Sequence, residues 1–282
     1  TSLDFFHFVP VLLLGFFMLT EPFTMPSQKN MRYVYAIVVA SVAFLPAIGP
    51  ISFSPELALV VGNLALAPFA QRQKLILKLA GLRKITPSIY EFSFPKPAGF
   101  HFKAGQYIEW MVPHKKTDSR GTRRYFTIVS APEEAELRLA FKLPEKASSY
   151  KTAMINLKAG DVVIGSQRSG DFLLPKNVDE KLGFIAGGIG VTPFVSHVTS
   201  IGANNERRDI ATLYCVATAA DMAYREKLAQ AGVLVPVVGN GEVPIGGESG
   251  YLSNDIITRR VPDYESRTWY ISGPPKMVDA SY

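Results

Sequence analysis

Hydrophobic positions follow two different patterns along the chain. Through the first seventy residues they come as long runs. Phe5–Leu19 is apolar except for His7, Tyr33–Phe53 carries no charge, and Leu57–Ala70 is apolar except for Asn63. A helix that spans a bilayer needs about 20 apolar residues. The second run meets that length, and the other two are short. From Leu75 onward the apolar runs are brief, rich in β-branched and aromatic residues, and broken by Pro and Gly. Leu75–Leu82, Ile89–Phe94, Phe102–Ile108, Arg124–Ser130 and Leu137–Leu143 read as strands, at a spacing that predicts a small antiparallel barrel. After Asp179, strands at Leu182–Ala186, Ile210–Val216, Leu234–Val238 and Thr268–Ile271 alternate with helical stretches such as Asp221–Gln230. That alternation predicts a parallel sheet. The expected order is therefore transmembrane α-helices over residues 1–70, an antiparallel β-barrel over 71–178 and an α/β parallel-sheet nucleotide-binding domain over 179–282.

Charge refines the first segment. Lys29 and Arg32 lie between the first two runs, no Lys or Arg lies in Gly49–Pro55, and Arg72, Lys74 and Lys78 follow the third run. Basic loops stay on the cytoplasmic side, so everything after the third run is expected to face the cytoplasm. A buried helical hairpin of a soluble protein is the alternative. The 282 residues carry a formal net charge of +6, with 48% hydrophobic and 19% charged residues. Such a basic balance fits an anionic membrane surface, anionic ligands or nucleic acid. The cations cluster where topology and a dinucleotide account for them, so nucleic acid is not expected. Cys215 is the single cysteine. It excludes a disulfide within the chain and an iron–sulfur cluster built from its own thiols. No metal site is expected, and one histidine in the apolar runs does not supply a haem pair.

Three stretches carry candidate chemistry. The first is Arg124-Tyr125-Phe126-Thr127-Ile128-Val129-Ser130. An arginine gives forked, charge-assisted hydrogen bonds to phosphate oxygens. An aromatic two residues on shares its face of the strand, and the next hydroxyl can donate to a ring nitrogen. The second is Gly187-Gly188-Ile189-Gly190-Val191-Thr192-Pro193, a strand-to-helix turn. Its glycines let backbone approach a pyrophosphate, with Thr192 expected to cap the helix. The third is Ser272-Gly273-Pro274-Pro275-Lys276-Met277. Upstream, Phe102–Ile108 includes Gly105-Gln106-Tyr107, and Ser148-Ser149 precedes a Leu157–Asp161 turn.

In this order the stretches resemble the ferredoxin–NADP reductase superfamily, over roughly Leu75 to Tyr282. The resemblance implies an FAD barrel followed by an NAD(P)-binding domain. It implies that Arg124, Tyr125, Phe126, Thr127, Ser130, Ser148 and Ser149 hold the flavin. Gly187, Gly188, Gly190, Thr192, Pro193, Gly273, Pro274 and Met277 would hold the nicotinamide dinucleotide. Thr127 and Ser272 would flank the hydride path. The family usually has Tyr-Ser where Phe126-Thr127 stand, and Cys where Ser272 stands; its last helix and strand lie beyond this chain's end, so residues are expected to be missing at the termini. The second predicted strand of that domain ends in Tyr214–Thr218 without a basic side chain, which favours NADH over NADPH. Thr20–Pro26 with its flanking runs resembles the membrane flavoprotein subunits of Na⁺-translocating NADH:quinone oxidoreductase and Rnf complexes. The chain is thus expected to be a membrane-anchored FAD-dependent NAD(P)H oxidoreductase facing the cytoplasm. It would pass electrons to a quinone, a partner subunit or a redox protein docked on the basic loop His114–Arg124. The alternative is a non-catalytic flavoprotein relay in a membrane redox complex.

Overall fold

A computed structural model describes residues 29–43, 55–67, 74–115 and 117–279. The first apolar run and the Thr20–Pro26 stretch lie outside them. The chain divides into two compact units, residues 1–73 and 74–282. In the first, α1 (Lys29–Ala43) and α2 (Pro55–Leu66) pack around Tyr35, Val39, Ala58 and Leu66. The Tyr35 hydroxyl donates to Asn63 Oδ1 at 3.2 Å, which satisfies the one polar side chain of the third run. A Cβ on Gly62 would lie 3.0 Å from the Tyr35 ring, so this crossing requires glycine. Among the described residues no helix is long and apolar enough to cross a membrane. The helix within Tyr33–Phe53 is described only to Ala43, and α2 carries Glu56 in its first turn.

The second unit opens with two antiparallel sheets. One has the order β1 (Leu75–Lys78), β7 (Val162–Ser169), β4 (Tyr107–Met111), β5 (Arg123–Thr127); the other β2 (Gly81–Lys84), β3 (Ile89–Pro95), β6 (Glu136–Lys142). Leu75–Leu82 is not one strand, because the chain changes sheets within it. Leu79 N–H donates to Asp161 O, and Ala80 N–H donates to Ser93 O. The same happens after β5. Ile128 N–H still bonds Gln106 O beside β4, but Val129 N–H bonds Arg138 O on β6. The predicted strand Arg124–Ser130 therefore ends at Thr127, and its last residues stitch the two sheets together. Inside lie Phe92, Phe94, Trp110, Leu139, Phe141 and Tyr150, all but inaccessible.

The parallel sheet has the order β11 (Glu248–Ser249), β10 (Val233–Val238), β9 (Ile210–Val216), β8 (Leu182–Gly187), β12 (Thr268–Ser272). The chain starts at β8, steps outward through β11 and returns beside β8. β8 is buried at all six positions, as a central parallel strand covered on both faces must be. The helix after β8 is α4 (Thr192–Ala203), the one after β9 is α5 (Arg225–Ala231), and α6 (Asn254–Arg260) and α7 (Pro275–Asp279) follow β11 and β12. The expected helix Asp221–Gln230 starts only at Arg225, because Tyr224 takes the left-handed conformation, φ 57°. That kink aims the Tyr224 hydroxyl at Glu91 Oε2 on β3, 2.7 Å away. Asp221 accepts from Lys142 at 3.2 Å and from Ser88 at 3.0 Å. On α4, the Ser196 hydroxyl donates to Ser130 O at 2.7 Å. These bonds fix the parallel sheet against the barrel.

His197 is the other fastening of α4. Its ring is buried beside Phe172 and Phe184, and Nε2–H donates to Phe172 O at 3.0 Å. Burial holds its pKa down at about 4, with Arg208 adding to the effect. The unfolded chain takes up this proton below about pH 6.5 while the folded chain does not. Stability is thus expected to be full above pH 6.5 and to fall by at most about 1.4 kcal/mol per pH unit between 6.5 and 4. Denaturant titrations at several pH values should show this slope, and the slope should shrink in His197→Gln.

Candidate functional site

The parallel sheet reverses its winding between β8 and β12, and a crevice opens at the carboxyl ends of the strands beside such a switch point. Here the crevice is a cavity of about 900 Å³. Its floor is made by two loops in backbone contact. A Cβ on Gly190 would strike the Ser272 carbonyl and lie 2.7 Å from Gly273 Cα. A Cβ on Gly187 would lie 2.7 Å from Pro274 Cδ and from Met277 Sδ. Both positions are closed to any larger residue. Gly188 differs: it has φ 52°, and a Cβ there would meet nothing within 4 Å. It presents bare backbone to open space, and its carbonyl is held by the buried Tyr214 hydroxyl at 3.2 Å.

The opposite wall belongs to the barrel. Tyr125, Phe126 and Thr127 of β5, Ala140–Lys142 of β6, and Lys151 line it. Phe126 stacks on Phe141 at 5.7 Å and leans on Tyr150 at 6.0 Å, so the wall is flat and aromatic with a fixed orientation. Among the described residues neither the Thr127 nor the Ser272 hydroxyl makes a hydrogen bond, and both line the cavity. The third side runs along the tips of β9 and β10, Cys215–Ala217 and Gly239-Asn240, and the stretch Gly250–Asn254. Burial pushes the Cys215 thiol up to about 12, which keeps it protonated and inert.

The structure thus gathers Tyr125, Phe126, Thr127, Gly187, Gly188, Gly190, Thr192, Ser272, Gly273, Pro274 and Met277 around one space. The lining does not include Arg124, Ser130, Ser148, Ser149 or Pro193. Arg124 folds back on its own loop. It donates to Arg120 O and Gly121 O, pairs with Asp118 at 3.2 Å and covers the Tyr150 ring at 5.2 Å. Ser130 is buried, and its hydroxyl accepts from Arg138 N–H. Ser148 caps α3 (Ser149–Ile155) by accepting from Lys151 N–H, while Ser149 accepts from Asp118 N–H. Pro193 is buried in the first turn of α4. Thr192 does not cap that helix: it lies inside it and its hydroxyl donates back to Ile189 O. A 3₁₀ turn, Gly188–Val191, already leads the chain into the helix, so Val191 takes the cap position. Lys142, Asn240 and the Gly250–Asn254 stretch were not singled out in the sequence, and Lys151 was read only as the end of Ser148-Ser149-Tyr150-Lys151, a stretch that resembles the family's phosphate-binding helix start. The only signal for Asn240 was its place at the end of a predicted strand.

Residues 184–282 match the family described as oxidoreductase NAD-binding domain. The chain is 27% identical over 195 residues to the NADH oxidoreductase HCR of Escherichia coli (strain K12), covering 69% of this chain and 58% of that protein. It is 26% identical over 200 residues to the propane 2-monooxygenase reductase component of Rhodococcus jostii (strain RHA1), covering 66% and 52%. The chain therefore spans little more than half the length of these curated relatives. Among solved structures, the Amycolatopsis cytochrome P450 reductase GcoB superposes with a TM-score of 0.63 at 24% identity, covering 74% of this chain and 64% of that one. A ferredoxin NADP⁺ reductase from Neisseria gonorrhoeae with bound FAD and NADP gives 0.62 at 21%, covering 73% and 87%. The chain carries the two-domain fold of these solved reductases, and its second domain matches the oxidoreductase NAD-binding family.

The floor contact gives a paired prediction. Gly190→Ala must push two backbones apart and is expected to weaken NADH binding by at least about tenfold. Gly188→Ala meets no atom and costs only the left-handed strain, about 1–2 kcal/mol of stability. Fluorescence titration with NADH and denaturant titration of both variants test the pair. Unchanged NADH affinity in Gly190→Ala would refute the role of the floor.

Proposed function

We propose that this chain is a membrane-anchored, FAD-dependent NADH reductase that delivers electrons to a redox partner or a membrane acceptor. The observation that carries the reading is the single cavity shared by the barrel strands β5 and β6 and the glycine loops after β8 and β12. Its volume lies within the range of about 300–1,000 Å³ usual for cofactor sites. The residues fit the two groups. The half-buried Phe126 ring, backed by the buried Phe141, suits a flat heteroaromatic ring, and bare backbone at Gly188 suits a pyrophosphate. When bound, FAD supplies the step from a two-electron hydride donor to one-electron acceptors.

The chain's own residues do the placing. The interlocked loops after β8 and β12 fix the depth at which the nicotinamide end can sit. The hydroxyls of Thr127 and Ser272, which make no hydrogen bond among the described residues, can reach ring atoms from the barrel side and the sheet side. The aromatic wall excludes water. No general acid or base is assigned. NADH is preferred to NADPH because no Lys or Arg lines the cavity at the tips of β9 and β10 or along Gly250–Ile257. A 2′-phosphate there would lose its water without gaining a cation.

The anchor rests on the apolar runs, on the basic residues that bracket them, and on the exposed apolar side chains Tyr33, Ile37, Val60 and Leu64 of the helix pair. Those flanking charges favour the cytoplasmic side. Relatives named as reductase components of monooxygenases support a protein acceptor; a quinone or a partner subunit of a membrane complex remains within the same reading.

Anaerobic mixing of the FAD-loaded protein with NADH should bleach the flavin absorption, and NADH should act faster than NADPH. Thr127→Val should keep its flavin and slow bleaching by about 3- to 10-fold, the loss of one hydrogen bond. Bands that persist with both donors would favour a relay that never meets free NADH. Faster reaction with NADPH would refute the assigned preference.

A further inference from the structure

We propose that the Lys151 ammonium is the cavity's phosphate anchor, holding a phosphoryl group of the flavin. The inference rests on the FAD reading above and names a residue for it. Lys151 lines the barrel side of the cavity with Phe126, Thr127 and Lys142. Its Nζ donates to Lys142 O at 2.6 Å and lies 5.4 Å from the centre of the Phe141 ring. An ammonium has three N–H donors, and this carbonyl takes one. Among the described residues Lys151 has no carboxylate partner.

The neighbouring cations are in a different position. Lys142 is paired with Asp221 at 3.2 Å. Arg123 is paired with Glu109 at 3.4 Å. Arg124 is paired with Asp118 and bonded to carbonyls of its own loop. Each of these has a carboxylate within 3.4 Å, and Lys276, which also lines the cavity, is exposed on the Ser272–Met277 turn. Lys151 is half-buried, and burial lowers its pKa, with Arg120 and Arg124 pushing the same way. A partly desolvated cation beside like charges, with no counter-ion, is an unfavourable arrangement for a protein on its own. An anion entering the cavity offsets it, and the two open donors suit the oxygens of a phosphoryl group.

Both cofactors carry phosphates. The flavin's are favoured because the two groups that Lys151 Nζ meets, the Lys142 carbonyl and the Phe141 ring, stand on the barrel, whereas the bare backbone for a dinucleotide lies at Gly188.

The test uses the full chain stripped of flavin, titrated with FAD, with riboflavin, which has no phosphate, and with NADH. Lys151→Met keeps the alkyl stem over Phe141 and removes the charge; Lys151→Arg keeps the charge. The Kd for FAD is expected to rise about 10- to 100-fold in Lys151→Met, the worth of a charged hydrogen bond. Riboflavin and NADH affinities should be unchanged, and Lys151→Arg should lie close to wild type. Added salt should weaken FAD binding more in wild type than in Lys151→Met. Unchanged FAD affinity in Lys151→Met overturns the inference. So does an equal loss for FAD and riboflavin, which would mark a packing role, or a loss for NADH alone, which would assign the anion to the dinucleotide. A wild-type chain that binds neither flavin overturns the functional reading, and this inference with it.

Discussion

The site depends on a backbone contact. The loop after β8 lies against the loop after β12 twice, at Gly190 against the Ser272 carbonyl and Gly273 and at Gly187 against Pro274 and Met277. No side chain can intervene, so the tips of β8 and β12 are held at a distance set by van der Waals radii alone. Everything that lines the cavity is placed relative to that contact. Tyr214, buried under β8, ties the Gly188 carbonyl to the next strand, and its hydroxyl accepts from Ala223 N–H at 3.2 Å. The floor is thereby coupled to the segment that reaches the barrel through Asp221 and Tyr224. A glycine requirement at two positions and a left-handed tyrosine at a third are parts of one arrangement.

That arrangement explains which features were legible in the sequence. Strands β8 and β9 fall where the apolar runs put them, because a parallel strand covered on both faces must be apolar along its length; β10 and the edge strand β12 fall where predicted too, although they are less covered. The glycine turn after β8 and the Ser272–Met277 turn were legible for the same reason: close backbone approach admits no substitute. Boundaries failed where long-range pairing overrode local pattern. Leu75–Leu82 is continuous in hydrophobicity but divided between two sheets. Asp221–Gln230 has helical spacing, yet Tyr224 leaves the helix to reach Glu91 on a distant strand. No local signal encodes either event.

The site residues divide similarly. Phe126 and Thr127 were readable because alternation along a strand fixes their faces. Phe126 is on the face of Arg124, and both touch Tyr150. What a strand pattern cannot give is the length and reach of an arginine side chain. Arg124 has Asp118 within 3.2 Å and loop carbonyls closer still, so its guanidinium is occupied locally. Ser148 and Ser149 are spent on a helix cap and a loop in the same way. The serines and the arginine were read by type; the structure adds their partners, the Asp118–Gly121 turn for Arg124 and Ser149 and the Lys151 N–H for Ser148.

Charge makes the same point at the scale of the molecule. A net +6 says nothing of location, and it was divided in the sequence between a membrane surface and an anionic ligand. In the second unit many cations are paired with specific acids: Arg83 with Glu91, Arg123 with Glu109, Arg138 with Glu134 and Lys142 with Asp221; among the described residues that line the cavity, Lys151 and Lys276 have no such pair. Pairs of this kind contribute modestly to stability where exposed, but they cancel the local field. A cation left over inside a cavity therefore acts on whatever enters, at short range and in a medium that screens it weakly. The far end of the same cavity, at β9 and β10, carries no such charge. A ligand whose negative groups lie toward the barrel and the glycine turn, with a neutral end toward Asn240, is the shape of charge that this site is built to accept.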